Sequence, residues 1–259
     1  MQILRSLAFN IFYFGFTICC LLFLNWLLLT SRPYCMAWVR WYLRTIYRME
    51  RWILGLDYQV VGQENMPPYP FLVAAKHQSL WETMKLHLIF DDPAVILKRE
   101  LMKVPIWGWF AKKSKMIAVD RGAGGKAISS MIEGGRETVA DGRPIVIFPQ
   151  GTRVAPDGYK PYKVGIFALY EALNLPVLPM ALNSGVFWQR RAFRKRSGTI
   201  TVELLPPIEP GLDRETFMRR LETELEAAST RLVAEAHRQL GVESSAETNK
   251  TGTKDGGLL

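Results

Sequence analysis

The sequence predicts a mixed α/β domain, with a largely parallel sheet flanked by helices, preceded by an N-terminal helical segment embedded in a membrane. Short runs of β-branched and aliphatic residues alternate with segments of helical periodicity from residue 58 to 240. This alternation is typical of a sheet covered by helices on both faces. An uncharged and strongly apolar stretch over residues 7–29 predicts the membrane segment.

Composition limits the function classes. The chain has 259 residues, of which 49% are hydrophobic and 22% are charged, so it is neither intrinsically disordered nor a polytopic transporter. Lys and Arg number 33 against 24 Asp and Glu, and the net charge of +9 predicts an anionic partner: nucleic acid, anionic lipid or a phosphorylated metabolite. The three cysteines, Cys19, Cys20 and Cys35, lie near the N-terminus, which excludes a thiol nucleophile from the domain and offers no zinc-binding spacing.

The first element is the apolar run Leu7–Leu29. As a helix it measures about 34 Å, enough to cross a hydrocarbon core of about 30 Å. The following residues, TSRPYC, contain no small-residue cleavage pattern, so an uncleaved anchor is favoured over a signal peptide. A buried core helix is the alternative.

The second element is an amphipathic helix. Arg40, Arg44 and Arg48 recur every fourth residue, with Arg51 close to the same face, and aromatic and aliphatic side chains occupy the rest. This pattern predicts a helix in the headgroup layer that binds anionic lipids, so that residues 1–57 form the membrane region. The excess of arginine on this side of the anchor predicts a cytoplasmic location for the domain. A helical hairpin dipping into one leaflet remains an open alternative.

Residues 58–240 are the predicted domain, and a tail over residues 241–259, rich in Ser, Thr, Gly and Lys, is predicted to be disordered. The predicted strands are Tyr58–Val61, Phe71–Ala75, Ala94–Leu97, Met116–Val119, Pro144–Phe148, Val177–Leu182 and Thr199–Leu204. The predicted helices are Trp81–Phe90, Gly125–Ala140, Tyr162–Leu173 and a long charged helix over residues 213–238.

The first chemical motif, AAKHQSLWE at residues 74–82, lies where a strand ends and a helix begins. His77 exchanges a proton near neutral pH, and Glu82 follows one helical turn into the next element. The pair is a candidate general base with the carboxylate that orients its ring. Two alternatives stay open: a histidine in a turn is often only a satisfied polar group, and Ser79-x-x-Glu82 fits a capping box without catalysis.

Two further motifs also follow strand ends. Lys98 starts a KRE motif that leads to Arg121, which leaves a strand towards a glycine-rich turn. Gly151, Thr152 and Arg153 end the motif FPQGTR. Guanidinium groups at strand ends suit a phosphate group, and glycine permits a close backbone approach. Each motif alone is equally consistent with a surface turn.

In this order the motifs resemble those of the membrane-bound glycerolipid acyltransferases, most closely the bacterial 1-acylglycerol-3-phosphate acyltransferases. That family carries H-x4-D, a K-x-E…P-x-x-G…I-x-x-x-R block, F-P-E-G-T-R and a V-x-P strand. The resemblance covers about residues 58–210 and implies a glycerolphosphate-acyltransferase-like fold. The matching residues here are His77…Glu82, Lys98…Arg121, FPQGTR and Val177-Leu178-Pro179.

The sequence departs from the family pattern at two positions. Glu82 stands where the family usually has Asp, which keeps the carboxylate on a longer side chain. Gln150 replaces the usual Glu of the third motif, so a role that needs a carboxylate there is in doubt, although its amide still forms hydrogen bonds.

The resemblance implies transfer of an acyl group from acyl-CoA or acyl-carrier protein to the sn-2 hydroxyl of 1-acylglycerol 3-phosphate (lysophosphatidic acid), giving phosphatidic acid. It implies His77 as the base and Glu82 as its partner. Arg121 and Arg153 would bind the acceptor phosphate, with Lys98 a third candidate, and backbone donors near Gly151 would hold the oxyanion. It implies no metal and no redox cofactor. It also implies a bacterial cytoplasmic membrane, with the domain on the cytoplasmic side.

Alternatives follow from the same residues. The same chemistry could act on glycerol 3-phosphate or on a lyso-aminolipid, and a basic lipid-binding scaffold without activity is the non-enzymatic alternative. The basic run WQRRAFRKR, residues 188–196, would extend the membrane surface, meet an acidic acyl carrier, or form a solvated loop. Nucleic-acid binding is not favoured, because the sequence contains no recognised RNA- or DNA-binding module.

Overall fold

The computed structural model describes residues 1–241 of the chain. The predicted disordered tail therefore lies outside the described residues, apart from Gly241, which ends the last helix in the left-handed conformation with φ of 62°. Glycine adopts this conformation without strain.

Seven strands form one mixed sheet. They are β1 (Leu56–Val61), β2 (Leu72–Ala75), β3 (Ala94–Lys98), β4 (Ile117–Val119), β5 (Ile145–Ile147), β6 (Val177–Leu182) and β7 (Gly198–Leu204). Their order is β1-β7-β6-β2-β5-β3-β4. Strands β6, β2, β5, β3 and β4 are mutually parallel, and β7, paired in parallel with β1, runs antiparallel to β6. The predicted sheet, with its seven strands, is confirmed.

Helices cover both faces of this sheet. They are α1 (Gln2–Phe23), α2 (Arg32–Met49), α3 (Trp81–Ile89), α4 (Trp107–Lys113), α5 (Gly125–Ala140), α6 (Gly165–Leu173), α7 (Ser184–Phe187) and α8 (Arg214–Leu240). The four predicted domain helices correspond to α3, α5, α6 and α8, whereas the sequence did not predict α4 or α7.

The core sits on the two faces of the central strands. Strands β2, β5 and β6 are buried at every residue, because helices cover them on both sides. One face packs against Leu43 of α2 and Leu86 of α3. The other face packs against Met131 of α5, Ile166 of α6 and Phe217 of α8. The edge of the sheet at which these strands end is therefore supported by fully buried strands.

The N-terminal region differs from the prediction in its bounds. The sequence predicts one helix over residues 7–29, whereas the apolar stretch divides into α1 and a 3-10 turn, Asn25–Leu29, before α2 begins. By length and composition α1 could cross a membrane. Its exposed apolar side chains include Ile3, Leu4, Leu7, Ile11, Phe14, Ile18 and Leu22.

Polar side chains one turn apart dock the first half of α1 on the domain. Gln2 Nε2 donates to the Lys195 carbonyl at 2.8 Å, and Ser6 Oγ accepts from the Lys195 N–H at 3.0 Å. Lys195 Nζ in turn donates to Asn10 Oδ1 at 2.8 Å. Phe9, on the same helix face, is fully buried. One face of α1 is thus fixed to the protein and the opposite face is apolar and open.

Some arginines of the basic segment that includes α2 form ion pairs with the domain, and others do not. Arg44 and Arg48 are exposed and form no ion pair within residues 1–241. The other three arginines of the predicted basic segment do form ion pairs, at 2.7–3.3 Å: Arg32 with Asp92, Arg40 with Asp91 and Arg51 with Asp57.

Buried His87 on α3 gives the fold a pH dependence. Burial lowers the pKa of His87 to about 4; nearby Asp92 favours protonation of its ring, whereas Arg143, Arg40 and Arg32 oppose it. In the unfolded chain the same group takes up a proton near pH 6.5. The unfolded state therefore binds more protons as the pH falls from about 6.5 to about 4, so stability should decrease by about 3 kcal/mol across this window.

Denaturant unfolding in detergent micelles at several pH values checks this prediction. The His87→Gln variant should lose most of the pH dependence between those limits, because its amide does not titrate. An unchanged slope in the variant would assign the acid sensitivity to other groups.

Candidate active site

The predicted site residues come together at one edge of the sheet. Because β2, β5, β3 and β4 are parallel neighbours, their carboxyl ends lie side by side. His77 follows β2, FPQGTR follows β5, Lys98 ends β3 and Arg121 follows β4. Ligands of open α/β sheets bind at this edge.

His77 is held from both ends. Its ring nitrogen Nδ1 lies 2.8 Å from Glu82 Oε1. Its carbonyl accepts from the Val154 N–H at 2.8 Å, which ties the turn after β2 to the chain after β5. The imidazole stacks on the Phe148 ring, with centroids 4.0 Å apart and planes at 21°. The ring position is therefore fixed by a carboxylate, a backbone bond and an aromatic face.

This arrangement favours one tautomer of His77. A proton on Nδ1 satisfies the Glu82 carboxylate, and Nε2 then carries the lone pair. Within residues 1–241 no side chain or backbone group hydrogen-bonds to Nε2. The imidazole side chain is 14% exposed, so its Nε2 is the part that a substrate can meet.

Glu82 has no solvent exposure and accepts four hydrogen bonds. Besides His77, its Oε1 accepts from the N–H groups of Gln78 at 2.8 Å and Ser79 at 2.7 Å. Its Oε2 accepts from Ser184 Oγ at 2.7 Å. The capping contact and the contact with His77 thus coexist, and all four donors fit an ionised carboxylate. The Glu82 side chain therefore reaches the His77 ring at hydrogen-bond distance.

Ser184 is the partner that sequence reasoning missed. It begins α7, directly after β6 and Asn183, and lies 102 positions along the chain from Glu82. Because β6 is parallel to β2, its carboxyl end faces the same edge. The one available signal was a hydroxyl residue following a predicted strand.

The FPQGTR motif forms a tight turn at this edge. The Gly151 N–H donates to the Phe148 carbonyl at 2.9 Å, and Gly151 adopts φ of +68°, which favours glycine. A Cβ at Gly151 would lie 3.0 Å from Cε of Lys163, so glycine also makes room for that side chain. Arg121 Nη1 donates to the Gly151 carbonyl. Arg121 and Lys163 therefore both meet this turn, and the sequence did not point to Lys163.

The remaining predicted substrate-binding residues flank the turn. Lys98 is half exposed and its ammonium lies 3.0 Å from Glu100. Thr152 and Arg153 are half buried, and neither side chain has a hydrogen bond or ion pair with other residues of the described range. All three lie at the predicted edge.

Two buried glutamine side chains at this edge have amide atoms without a hydrogen-bond partner among residues 1–241. Gln150 is 1% exposed, and neither its Nε2 nor its Oε1 has a hydrogen-bond partner among residues 1–241. Gln78 is also 1% exposed; its Oε1 accepts from the Gly185 N–H, but its Nε2 is unpaired within the same range. A buried donor without a partner is costly unless a ligand or water satisfies it.

The described residues contain no cluster of side chains that could bind a metal ion. Within residues 1–241, no three His, Cys, Asp or Glu side chains are close enough together to hold a metal ion. The side chains at the edge instead combine an oriented imidazole with cationic groups, which suits proton transfer next to an anion.

Comparisons with known proteins identify the family of this chain. Residues 57–183 match the family model described as Acyltransferase. A 1-acyl-sn-glycerol-3-phosphate acyltransferase from Pseudomonas aeruginosa is 35% identical over 187 residues, which cover 72% of this chain and 73% of that protein. The chain belongs to the acyltransferase family. The predicted relationship and the predicted class, an O-acyltransferase, are confirmed.

Other relatives of this acyltransferase support the same assignment. A 1-acyl-sn-glycerol-3-phosphate acyltransferase from Saccharomyces cerevisiae is 30% identical over 169 residues, 64% of this chain and 56% of that protein. The crystal structure of the LPA acyltransferase PlsC from Thermotoga maritima superposes with a TM-score of 0.73 at 21% identity, covering 90% of this chain and 98% of that one. The structural likeness confirms the fold.

Proposed function

We propose that this acyltransferase moves a fatty acyl group from an acyl thioester to the sn-2 hydroxyl of 1-acylglycerol 3-phosphate. The observation that carries the proposal is the His77–Glu82 pair, joined at 2.8 Å beside the turn that Arg121 contacts. A base beside cationic groups fits an alcohol acceptor that carries a phosphate. The names of the relatives from Pseudomonas aeruginosa and Saccharomyces cerevisiae support the same acceptor.

In the proposed reaction His77 Nε2 takes the proton from the acceptor hydroxyl as its oxygen attacks the thioester carbonyl carbon. The carbon–sulfur bond then breaks, and the proton on Nε2 passes to the leaving sulfur, so that a free thiol and a new ester result. Glu82 stabilises the transient imidazolium through Nδ1–H, and Ser184 holds the other oxygen of that carboxylate. No step changes an oxidation state, so the proposal includes no redox cofactor.

The oxyanion needs hydrogen-bond donors, and the sequence predicts backbone N–H groups near Gly151 for this role. The Gly151 N–H already donates to the Phe148 carbonyl. The buried, unpaired amide groups of Gln78 and Gln150 are the alternative donors that the site offers. An amide at position 150 donates hydrogen bonds that a carboxylate does not, which gives the Gln150 departure a chemical meaning.

The acceptor phosphate is assigned to the turn after β5. Arg121 supplies a guanidinium there, with Arg153 and Lys98 as further predicted contacts. Lys163 adds an ammonium whose Nζ would lie 3.3 Å from a Cβ at Gly151. In the same turn, Gly151 offers its backbone and Thr152 offers its side-chain hydroxyl to the proposed phosphate.

The N-terminal hairpin provides membrane attachment in this proposal. Because α1 is docked through Gln2, Ser6 and Asn10, we favour a hairpin that enters one leaflet over a spanning anchor. Its exposed apolar face would bury in acyl chains while Arg44 and Arg48 meet anionic headgroups. The domain would then work on the cytoplasmic side of a bacterial inner membrane, where acceptor and product both reside.

An assay of the purified full chain in detergent–lipid mixed micelles tests the function. Both acyl-CoA and acyl-carrier protein are offered as donors, with 1-acylglycerol 3-phosphate, glycerol 3-phosphate and a lyso-aminolipid as acceptors. We expect release of free thiol with 1-acylglycerol 3-phosphate and at least one donor. A preference for another acceptor would change the substrate, and no turnover with any pair would favour the lipid-binding scaffold.

Arg121→Ala should raise the apparent KM for 1-acylglycerol 3-phosphate about tenfold to a hundredfold with a smaller effect on kcat, since a charged hydrogen bond to phosphate contributes about 1.5–3 kcal/mol. Initial rates at varied acceptor concentration measure this split. Arg136→Ala, which removes an exposed arginine from α5, is the matched control. An unchanged KM in Arg121→Ala would move the phosphate site to other residues.

A further inference from the structure

A second cationic site lies at the start of α1, away from the turn that holds Arg121. A cavity of about 310 Å³ is lined by Gln2, Arg194, Arg196, Ser197 and Leu240. The lining thus includes two arginines, a serine and a glutamine, whose side chains carry hydrogen-bond donors. This donor set fits a phosphate group, because Arg binds phosphate oxygens in pairs and hydroxyls and amides complete the shell.

Within residues 1–241, no carboxylate pairs with the arginines around this cavity. Three more arginines accompany Arg194 and Arg196 in the surrounding chain, and within residues 1–241 none of the five forms an ion pair with a carboxylate: Arg5, Arg190, Arg191, Arg194 and Arg196. Arg5 itself reaches the cavity wall, since its Nη1 and the Cβ of Ser197 both lie about 3.5 Å or less from a Cβ built at Gly55. Of the five arginines within residues 32–51, by contrast, three form ion pairs with aspartates.

The cavity is a built feature of the fold. Lys195, between the two cavity arginines, is 4% exposed and bonds to Gln2, Ser6 and Asn10 of α1. Its ammonium lies 4.8 Å from the centroid of the Trp188 ring. This anchored residue directs its two neighbours, Arg194 and Arg196, outward from a fixed backbone.

Exposed apolar side chains are next in sequence to residues that line the cationic cavity. Met1, Ile3 and Leu4 are exposed at the start of α1, at 93%, 61% and 68%, and Phe193 in the basic loop is 51% exposed. Exposed apolar groups beside arginines are typical of a surface that enters the headgroup and acyl boundary of a bilayer. A soluble phosphorylated ligand would gain nothing from these side chains, whereas a phospholipid uses both.

Strand order separates this cavity from the proposed acceptor site. β6 and β7 lie on one side of β2, and β5, β3 and β4 lie on the other. The loop that carries Arg194 and Arg196 enters β7, so it lies on the flank of His77 opposite to Arg121. We propose that the cavity at the start of α1 binds the phosphate of an anionic phospholipid headgroup and holds the enzyme on an anionic bilayer, independently of the acceptor phosphate.

Vesicle flotation of the full chain tests this proposal, after dilution of detergent below its critical micelle concentration. The measured quantity is the ratio of partition coefficients for phosphatidylglycerol-containing and pure phosphatidylcholine vesicles. The Arg194→Gln/Arg196→Gln variant should lower this ratio at least about tenfold, since each basic residue near an anionic surface contributes roughly fivefold. The Arg194→Lys/Arg196→Lys variant should retain most of it, which guards against a folding defect.

The matched control removes the same charge from another cavity. Arg214 and Arg219 line a cavity on α8 together with Glu215 and Glu222, and Arg214→Gln/Arg219→Gln should change the ratio less than twofold. Equal losses in both double variants would mean that only net charge matters and would overturn the proposal. So would a wild-type ratio in Arg194→Gln/Arg196→Gln.

Competition identifies the source of the phosphate. Free CoA and inorganic phosphate should not displace the wild-type protein from phosphatidylglycerol vesicles at millimolar concentration. Displacement by CoA would make the cavity a binding site for the acyl donor. If Arg194→Gln/Arg196→Gln lost binding to acyl-carrier protein but kept its binding to vesicles, the cavity would be a surface for the carrier protein. Either result overturns the lipid assignment. Turnover on dispersed short-chain 1-acylglycerol 3-phosphate is measured separately, so that failure of the proposed reaction is distinguishable from failure of this proposal.

Discussion

His77→Ala should lower the rate of acyl transfer by about a hundredfold to ten-thousandfold, the usual contribution of a general base. The expectation rests on the geometry of the ring, whose Nδ1 is occupied by Glu82 at 2.8 Å while Nε2 is free of protein partners in the described range. Without an imidazole, the acceptor hydroxyl loses the proposed base. The loss should appear mainly in kcat, since the proton moves only during the chemical step.

Two comparison variants make this result specific. His237→Ala removes the same group from the last turn of α8 and should keep near wild-type turnover. Glu82→Gln should lower turnover less than His77→Ala, because the base remains. The four groups that donate to the Glu82 carboxylate would then face a neutral amide. The measurement is thiol release in micelles at equal amounts of folded protein. Wild-type turnover in His77→Ala would end the assignment of His77 as the base.

The central sheet was predictable because its strands carry their own signal. β2, β5 and β6 are short, continuous apolar runs, and a strand buried on both faces needs nothing else. Helix α4 was not predictable in this way. It has only seven residues, and the residue before it, Ile106, adopts φ of 62°. A non-glycine residue rarely adopts this conformation, and tertiary packing rather than local sequence decides it.

The contacts of the site were predictable where they join residues close in sequence, and not where they join distant segments. His77 and Glu82 are five residues apart across a strand–helix junction, so spacing alone brings them within reach. Ser184 reaches Glu82 only because β6 pairs with β2, and the Arg121–Gly151 contact needs β4 and β5 on one edge. A sequence pattern contains neither pairing. The ion pairs of Arg32, Arg40 and Arg51 were missed for the same reason, since a helical stripe does not reveal which side chains meet aspartates.

We expect the largest loss of stability when the buried ion pair between Lys85 and Glu50 is broken. The two side chains are 0% and 1% exposed, their charged atoms lie 2.7 Å apart, and Trp81 Nε1 donates to Glu50 Oε2 at 3.0 Å. Burial raises the pKa of Glu50 and lowers the pKa of Lys85, and the attraction between them opposes both effects. The Lys85 ammonium also lies 5.0 Å from the centroid of the Tyr47 ring. The pair joins the π-helix after α2, Glu50–Leu54, to the helix that carries Glu82.

Lys85→Met should therefore destabilise the fold by about 3–5 kcal/mol, because it leaves the Glu50 carboxyl buried without its cation. Glu50→Gln/Lys85→Met should recover a large part of that loss, since a neutral buried pair carries a smaller desolvation cost. Denaturant unfolding in micelles measures both, and Lys126→Met, an exposed lysine on α5, should stay within about 0.5 kcal/mol of wild type. If Lys85→Met were no worse than Lys126→Met, the pair would contribute no net stability. Because α3 also carries Glu82, a destabilised Lys85→Met protein should lose turnover together with stability, and the double variant should regain both.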